Sequence, residues 1–247
     1  MDRPPPALRR RQVLRGALLL GGTVMTGTTS GCGTSDQTPD HPADQSTDRS
    51  GSDPATTRRP TAAAGRRVLL AYFSRPGENY HYGGRRNLEV GNTEVLAQMI
   101  SERLDCDVHR IQPADPYPHD YEQTVQRNVQ EQNNNARPAI ADALPALDRY
   151  DTVLLASPIW NVRAPMIMTT FTEKLDFAGK TVLPITTYAT SGLGTAPRDY
   201  AAACPGATIG DGLAVRGEQV TEAGPDIEAW LRRTGPRLAG WVGISRW

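Results

Sequence analysis

The chain has 247 residues and no net formal charge at neutral pH, with 27 basic and 27 acidic side chains. That balance offers no electrostatic footprint for nucleic acid. The three cysteines, Cys32, Cys106 and Cys204, include no C-x-x-C pair, which argues against a zinc or redox-dithiol centre. Cys106 and Cys204 are open to two readings, a pair in an oxidising compartment or free thiols in a core.

The first 65 residues read as targeting and tether rather than fold. Arg9, Arg10 and Arg11 precede a short apolar stretch, Gly16–Gly22, which has the layout of an export signal and is too short to span a bilayer. Arg10-Arg11-Gln12-Val13-Leu14 is similar to the twin-arginine pattern, with Val in place of Phe. A passenger on that route folds before it crosses. Thr29-Ser30-Gly31-Cys32 resembles a bacterial lipobox, although Thr29 stands where an aliphatic residue is usual. We therefore expect residues 1–32 to be a lipoprotein signal segment with Cys32 lipidated; a plain signal peptide cleaved nearby is the alternative. Residues 33–65 are Ser, Thr, Asp, Pro and Gly with almost no large apolar side chain, the composition of a disordered linker. As a random coil its ends would average roughly 30 Å apart.

From residue 66 the pattern changes to that of one globular domain, 66–247. Val68–Phe73 is a short apolar run, the mark of a strand buried on both faces. Val95, Leu96, Met99, Ile100 and Leu104 recur at helical spacing. Asp107–Ile111 predicts a second strand, Tyr117–Gln132 a polar helix, and Thr152–Ala156 a third strand. Met166–Leu175 predicts a helix, Lys180–Tyr188 a fourth strand and Pro197–Ala203 a short helix. Ala207–Val215 predicts a fifth strand with a Gly-Asp-Gly break, and Asp226–Val242 a closing helix. Trp230 and Trp241 on that helix read as packing residues. Five strands alternating with helices imply an α/β fold: a doubly wound five-stranded parallel sheet in a three-layer α/β/α arrangement.

In such sheets ligands lie beyond the carboxyl ends of the strands, at the switch point. Three segments are selected by that rule: Ser74–Thr93 after strand one, Ser157–Asn161 after strand three, and Ala189–Gly194 after strand four. Asn92 and Thr93 stand where an N-cap belongs, before Glu94 and the helical periodicity. First-turn N–H groups lack intrahelical partners and carry partial positive charge. Hydroxyls of Ser74 and Thr93 would complete a phosphate cage without a lysine. An ordinary capped helix is the plainer reading of the same residues. Between the two halves of this candidate site lies an insertion, Pro76–Val90, whose Arg85-Arg86 reads as a solvated loop tip.

Together, "YFSRPGENY", "GNTEVLAQMI", "SPIWNVRAPM" and "TTYATSGLG" resemble the flavodoxin family, in matching order, over about residues 67–240. The resemblance implies strand order 2-1-3-4-5 and non-covalent binding of flavin mononucleotide (FMN). It implies that Ser74, Asn92 and Thr93 hold the FMN phosphate, with Arg75 nearby. Pro158, Ile159, Trp160 and Asn161 would line the isoalloxazine, Trp160 as the stacking candidate. Thr190, Ser191, Gly192 and Gly194 would meet the pyrimidine edge. This chain departs from the family pattern in its split first loop, and in having Asn161 and Val162 where many relatives carry Trp and Gly.

The same residues fit other chemistries poorly. His81, His109 and His119 show no ligand spacing, so no metal site is expected. Ser191 lacks the G-x-S-x-G elbow, and Gly192-x-Gly194 lacks the third glycine of a dinucleotide loop. The leading expectation is an FMN-binding redox protein, lipid-anchored at the extracytoplasmic face of the membrane, transferring electrons to or from a protein or small-molecule partner. One alternative is an FMN-dependent oxidoreductase between NAD(P)H and a quinone, with Pro76–Val90 as a lid carrying Tyr80, His81 and Tyr82. Another is a binding or scaffold lipoprotein without FMN. Residues 66–247 hold nineteen basic and twenty-one acidic side chains, a net of −2, so electrostatic steering to a basic protein partner is weak.

Overall fold

The computed structural model describes residues 67–235. The signal segment 1–32, the linker 33–65, Cys32 and Trp241 lie outside the described residues.

Strand β1 (Val68–Tyr72) is buried at every position, as its unbroken apolar run requires. It pairs in parallel with β4 (Asp107–Arg110) on one side and β5 (Thr152–Pro158) on the other. β5 pairs with β6 (Thr181–Tyr188), which carries β7 (Thr208–Ile209) and β8 (Leu213–Arg216) along its far edge. With β7 and β8 counted as one interrupted strand, the order is the expected 2-1-3-4-5. The interruption has a local cause. Pro184 in β6 has no N–H for the ladder, and the pairing breaks opposite Leu183 and Pro184. Gly212 crosses there, where a Cβ would stand 2.7 Å from the Pro184 carbonyl oxygen.

Alternate residues of each strand feed two cores, one per face. Val68, Leu70 and Tyr72 pack with Leu96, Ala97 and Ile100 of α1 (Asn92–Ser101) and with Ile227, Trp230 and Leu231 of α5 (Gly224–Thr234). Leu69, Ala71 and Phe73 pack with Ile167, Met168 and Phe171 of α3 (Met166–Glu173) and Ala196 and Tyr200 of α4 (Ala196–Ala203). Trp230 is fully buried and donates its Nε1–H to the Asp211 carbonyl at 2.9 Å, which ties α5 to the break in the fifth strand. Cys106 and Cys204 are both free thiols and belong to opposite cores. Burial pushes Cys106 up to about 11 and Cys204 up to about 12.

Three expectations change. The helix predicted from Tyr117 begins at Tyr121 as α2 (Tyr121–Asn133), because Pro116 and Pro118 disfavour helical backbone before them. Asp120 caps it by accepting from Gln123 N at 2.8 Å. The described part of the closing helix is α5, Gly224–Thr234, preceded by a short 3₁₀ helix, Gly217–Glu222. The insertion Pro76–Val90 is ordered: β2 (Gly77–His81) and β3 (Gly84–Leu88) form an antiparallel hairpin, a second sheet turning at Tyr82-Gly83. Both turn residues have positive φ, 45° and 85°.

Candidate functional site

The carboxyl ends of β1, β5 and β6 open onto one cavity of about 580 Å³. Ser74, Arg75, Asn92, Thr93, Pro158, Ile159, Trp160, Asn161, Thr190 and Ser191 all line it. The parallel sheet brings these residues together from three separate stretches of chain. The volume lies in the roughly 300–1,000 Å³ range of small-molecule and cofactor sites.

The first loop closes across the hairpin insertion. Gly91 is the N-cap of α1, one residue earlier than expected, and it has no side chain with which to cap. Ser74 supplies the missing acceptor: its Oγ takes a hydrogen bond from Glu94 N at 3.1 Å. A Cβ at Gly91 would overlap the Ser74 hydroxyl and stand 2.5 Å from the Arg75 carbonyl oxygen. Only a glycine lets the returning chain lie this close. Thr93 turns inward, 1% exposed, and its Oγ1 lies 2.6 Å from Thr187 Oγ1. Asn92 packs over Gly217.

Arg75 is the only charged side chain among the lining residues, and it is 7% exposed. Its guanidinium donates to the carbonyls of Pro118 (2.7 Å), His119 (3.2 Å) and Glu78. Burial lowers its pKa. The expected neighbour of an anion therefore also clamps the hairpin to the segment before α2. Glu78 reinforces the clamp: its N–H donates to His119 O at 2.8 Å and its Oε2 accepts from Tyr121 N at 3.3 Å. Arg85 and Arg86 are exposed, as expected, but lie in β3 rather than at the loop tip. Arg85 stacks 3.6 Å over the Tyr121 ring and pairs with Glu122 at 2.8 Å.

The second loop is a tight turn. Trp160 and Arg163 exchange backbone hydrogen bonds at 2.8 and 3.3 Å around Asn161 and Val162, whose φ angles are +49° and +65°. A β-branched residue seldom adopts this region, so Val162 carries strain where the family pattern has glycine. Trp160 is half-buried, edge-on to Phe73 (5.6 Å) and Tyr117 (5.1 Å). Gln132 of α2 donates to Trp160 O and accepts from Asn161 Nδ2, both at 3.2 Å.

In the third loop Thr190 and Ser191 line the cavity, but Gly192 and Gly194 are not among the lining residues. Gly192 accepts from Thr186 Oγ1 at 3.0 Å through its carbonyl. Gly194, with φ +54°, lets the loop meet the second one: its absent Cβ would overlap the Val162 carbonyl oxygen. That same oxygen accepts from Thr195 N at 2.8 Å. Gly194 joins the second and third loops, and Gly192 ties the third loop back to β6; neither is among the lining residues.

One contributor escaped the sequence reading. Asn79 and Tyr80 bring the hairpin into the wall, where the insertion was expected as a lid, although His81 and Tyr82 are not among the lining residues. Tyr121, Thr124, Val125, Asn128 and Val129 bring one face of α2, which was not expected. The α2 residues follow a helical i, i+3, i+4, i+7, i+8 spacing, which was readable, but threonine and asparagine within it hid the stripe in a helix that is polar overall. Val125 and Val129 are 37% and 39% exposed, open apolar surface inside a cavity.

Residues 88–234 match the family model described as Flavodoxin, starting at the end of the hairpin. A structure of a candidate flavoprotein from Bacteroides uniformis is 31% identical, covering 68% of this chain and 99% of that one, with a TM-score of 0.55. A second, from Bacteroides eggerthii, is 27% identical over 68% of this chain and 98% of that one, with a TM-score of 0.54. A flavoprotein from Lactobacillus acidophilus, solved in complex with FMN, is 16% identical over 64% of this chain and 97% of that one, with a TM-score of 0.47. No curated protein sequence matches the chain. The chain belongs to the flavodoxin family.

Proposed function

We propose that this protein binds FMN in the cavity at the carboxyl ends of β1, β5 and β6 and transfers electrons through it, held outside the cytoplasmic membrane by a lipid on Cys32. The observation that carries the reading is the convergence of three loops on one cavity of about 580 Å³. One end of it is a helix N-terminus set with Ser74, Asn92 and Thr93. The second loop brings Pro158, Ile159 and Trp160.

The residues fit the group. The N-terminal end of α1 offers N–H donors and partial positive charge for a phosphate, and the Ser74 and Thr93 hydroxyls add polar atoms beside it. Arg75 adds a buried positive charge at that end. Trp160 and Ile159 offer apolar surface to a planar ring, and Thr190 and Ser191 offer hydroxyl and backbone groups to its polar edge. Bound FMN supplies one- and two-electron redox chemistry that no side chain here possesses. Tyr80, Tyr121, Val125 and Val129 would shield bound FMN from water on the side facing the hairpin and α2.

An absorbance spectrum of the purified protein is the first test: a yellow, flavin-type spectrum is expected. Adding FMN to flavin-free protein should quench flavin fluorescence, and Thr93→Val should weaken that binding by about tenfold or more. A colourless protein that leaves FMN fluorescence unchanged would overturn the reading. Bleaching by a protein donor but not by a reduced nicotinamide would support the carrier; rapid reduction by a nicotinamide would replace it with the oxidoreductase.

A further inference from the structure

We infer that Thr187 is a positioning residue for the phosphate end of the cavity, its hydroxyl setting the direction in which the Thr93 hydroxyl donates. The inference rests on the cofactor reading and concerns a residue to which neither the motifs nor the family resemblance gives a role.

Thr93 Oγ1 and Thr187 Oγ1 lie 2.6 Å apart, and the two residues are 1% and 4% exposed. A hydroxyl carries one proton and two lone pairs, so a single proton bridges the two oxygens. If Thr93 donates it, Thr93 presents only lone pairs to the cavity, which an anion opposes. If Thr187 donates it, the Thr93 proton is free for an acceptor at the α1 N-terminus. A bound phosphate selects the second arrangement, in which the Thr187 proton occupies a Thr93 lone pair and so fixes the direction of the Thr93 O–H; without a hydroxyl on residue 187 the Thr93 proton is still free but no longer aimed.

Thr187 is well placed for this because neighbouring strands on both sides fix it at the carboxyl end of β6. It pairs with Pro158 of β5 and Val215 of β8, and its carbonyl accepts from Ile159 N at 2.8 Å. Its neighbour Thr186 donates to Gly192 O at 3.0 Å. The adjacent threonines thus tie the first and third loops to one strand, while the Thr187 carbonyl ties the second. The Thr93 hydroxyl is steered by a strand paired on both sides rather than by a loop.

The test compares FMN with riboflavin, which has the same ring but no phosphate, on the full chain freed of flavin. Thr187→Val keeps the shape and removes the hydroxyl. It should weaken FMN binding roughly five- to tenfold and leave riboflavin within about twofold, and Thr187→Ser should restore FMN binding. Equal losses for both flavins, or unchanged FMN affinity, would overturn the inference. If Thr187→Val does not fold, the FMN-to-riboflavin ratio of Thr187→Ala decides by the same criterion. Failure of the unsubstituted chain to bind FMN would sink the cofactor reading itself. FMN binding that is indifferent to residue 187 would sink only the role of Thr187.

Discussion

Gly91 lies so close to Ser74 that a Cβ on residue 91 would overlap the serine hydroxyl. That contact joins two stretches separated in sequence by a fifteen-residue insertion, 76–90, and it lets Ser74 cap a helix it precedes by that distance. Gly91 has φ −69° and ψ 147°, which alanine adopts freely, so the cost of Gly91→Ala is steric alone. We expect about 1–3 kcal/mol of destabilisation, read as a lower urea midpoint, together with weaker FMN binding. An unchanged midpoint would mean that the loop yields and the two halves are independent.

The hairpin is anchored at its base through Arg75 and Glu78, and nearer its turn through Arg85. Its tip makes one exposed bond, Tyr82 N to Glu218 Oε1 at 3.3 Å. Replacing residues 80–86 by a two-glycine link keeps the Arg75 and Glu78 anchors and removes Arg85 together with Tyr80 of the wall. Bound flavin should then become more accessible to iodide in a fluorescence-quenching titration. Equal quenching constants in the two proteins would show that the hairpin does not cover the flavin.

Tyr117 donates to Glu131 Oε2 at 2.8 Å, while Glu131 Oε1 takes Arg127 Nε at 2.8 Å. Burial, then the adjacent carboxylate, pushes the Tyr117 phenol above its usual value. Above about pH 10 the unfolded chain loses this proton while the folded chain keeps it, so stability falls as pH rises towards the folded pKa. Tyr117→Phe should remove one proton's worth of that slope, at a cost of about 1 kcal/mol at neutral pH. Urea midpoints between about pH 8 and pH 11 check it, and parallel pH profiles for the two proteins would contradict it.

Lipidation and export are tested in the native host. Cys32→Ala should move the protein from the membrane fraction to the soluble one, and replacing Arg10 and Arg11 by lysine should retain it in the cytoplasm. Membrane association that survives Cys32→Ala would rule out the lipid anchor.

The layers were legible because burial on both faces leaves a plain mark: unbroken runs such as Val68–Phe73 and Thr152–Ala156 read as central parallel strands; the strand order came from the family resemblance. The three site loops were legible for the same reason, since parallel strands send all their carboxyl ends to one edge. The hairpin was not. Arg85 reads as a loop residue until Tyr121 and Glu122 are beside it, and a short polar hairpin takes its stability from what it packs against.

Site roles divide in the same way. By itself the sequence determined a doubly wound α/β domain and the edge at which its loops meet, because apolar period and chain order are local properties. Tertiary structure alone decided that Ser74 caps α1 and that Arg75 clamps the hairpin. It also decided that Gly194 meets the second loop, and that Thr187 reaches Thr93. Each of these is a contact across a long stretch of sequence, set by which atoms the sheet brings within hydrogen-bond reach, and no pattern along the chain records that distance.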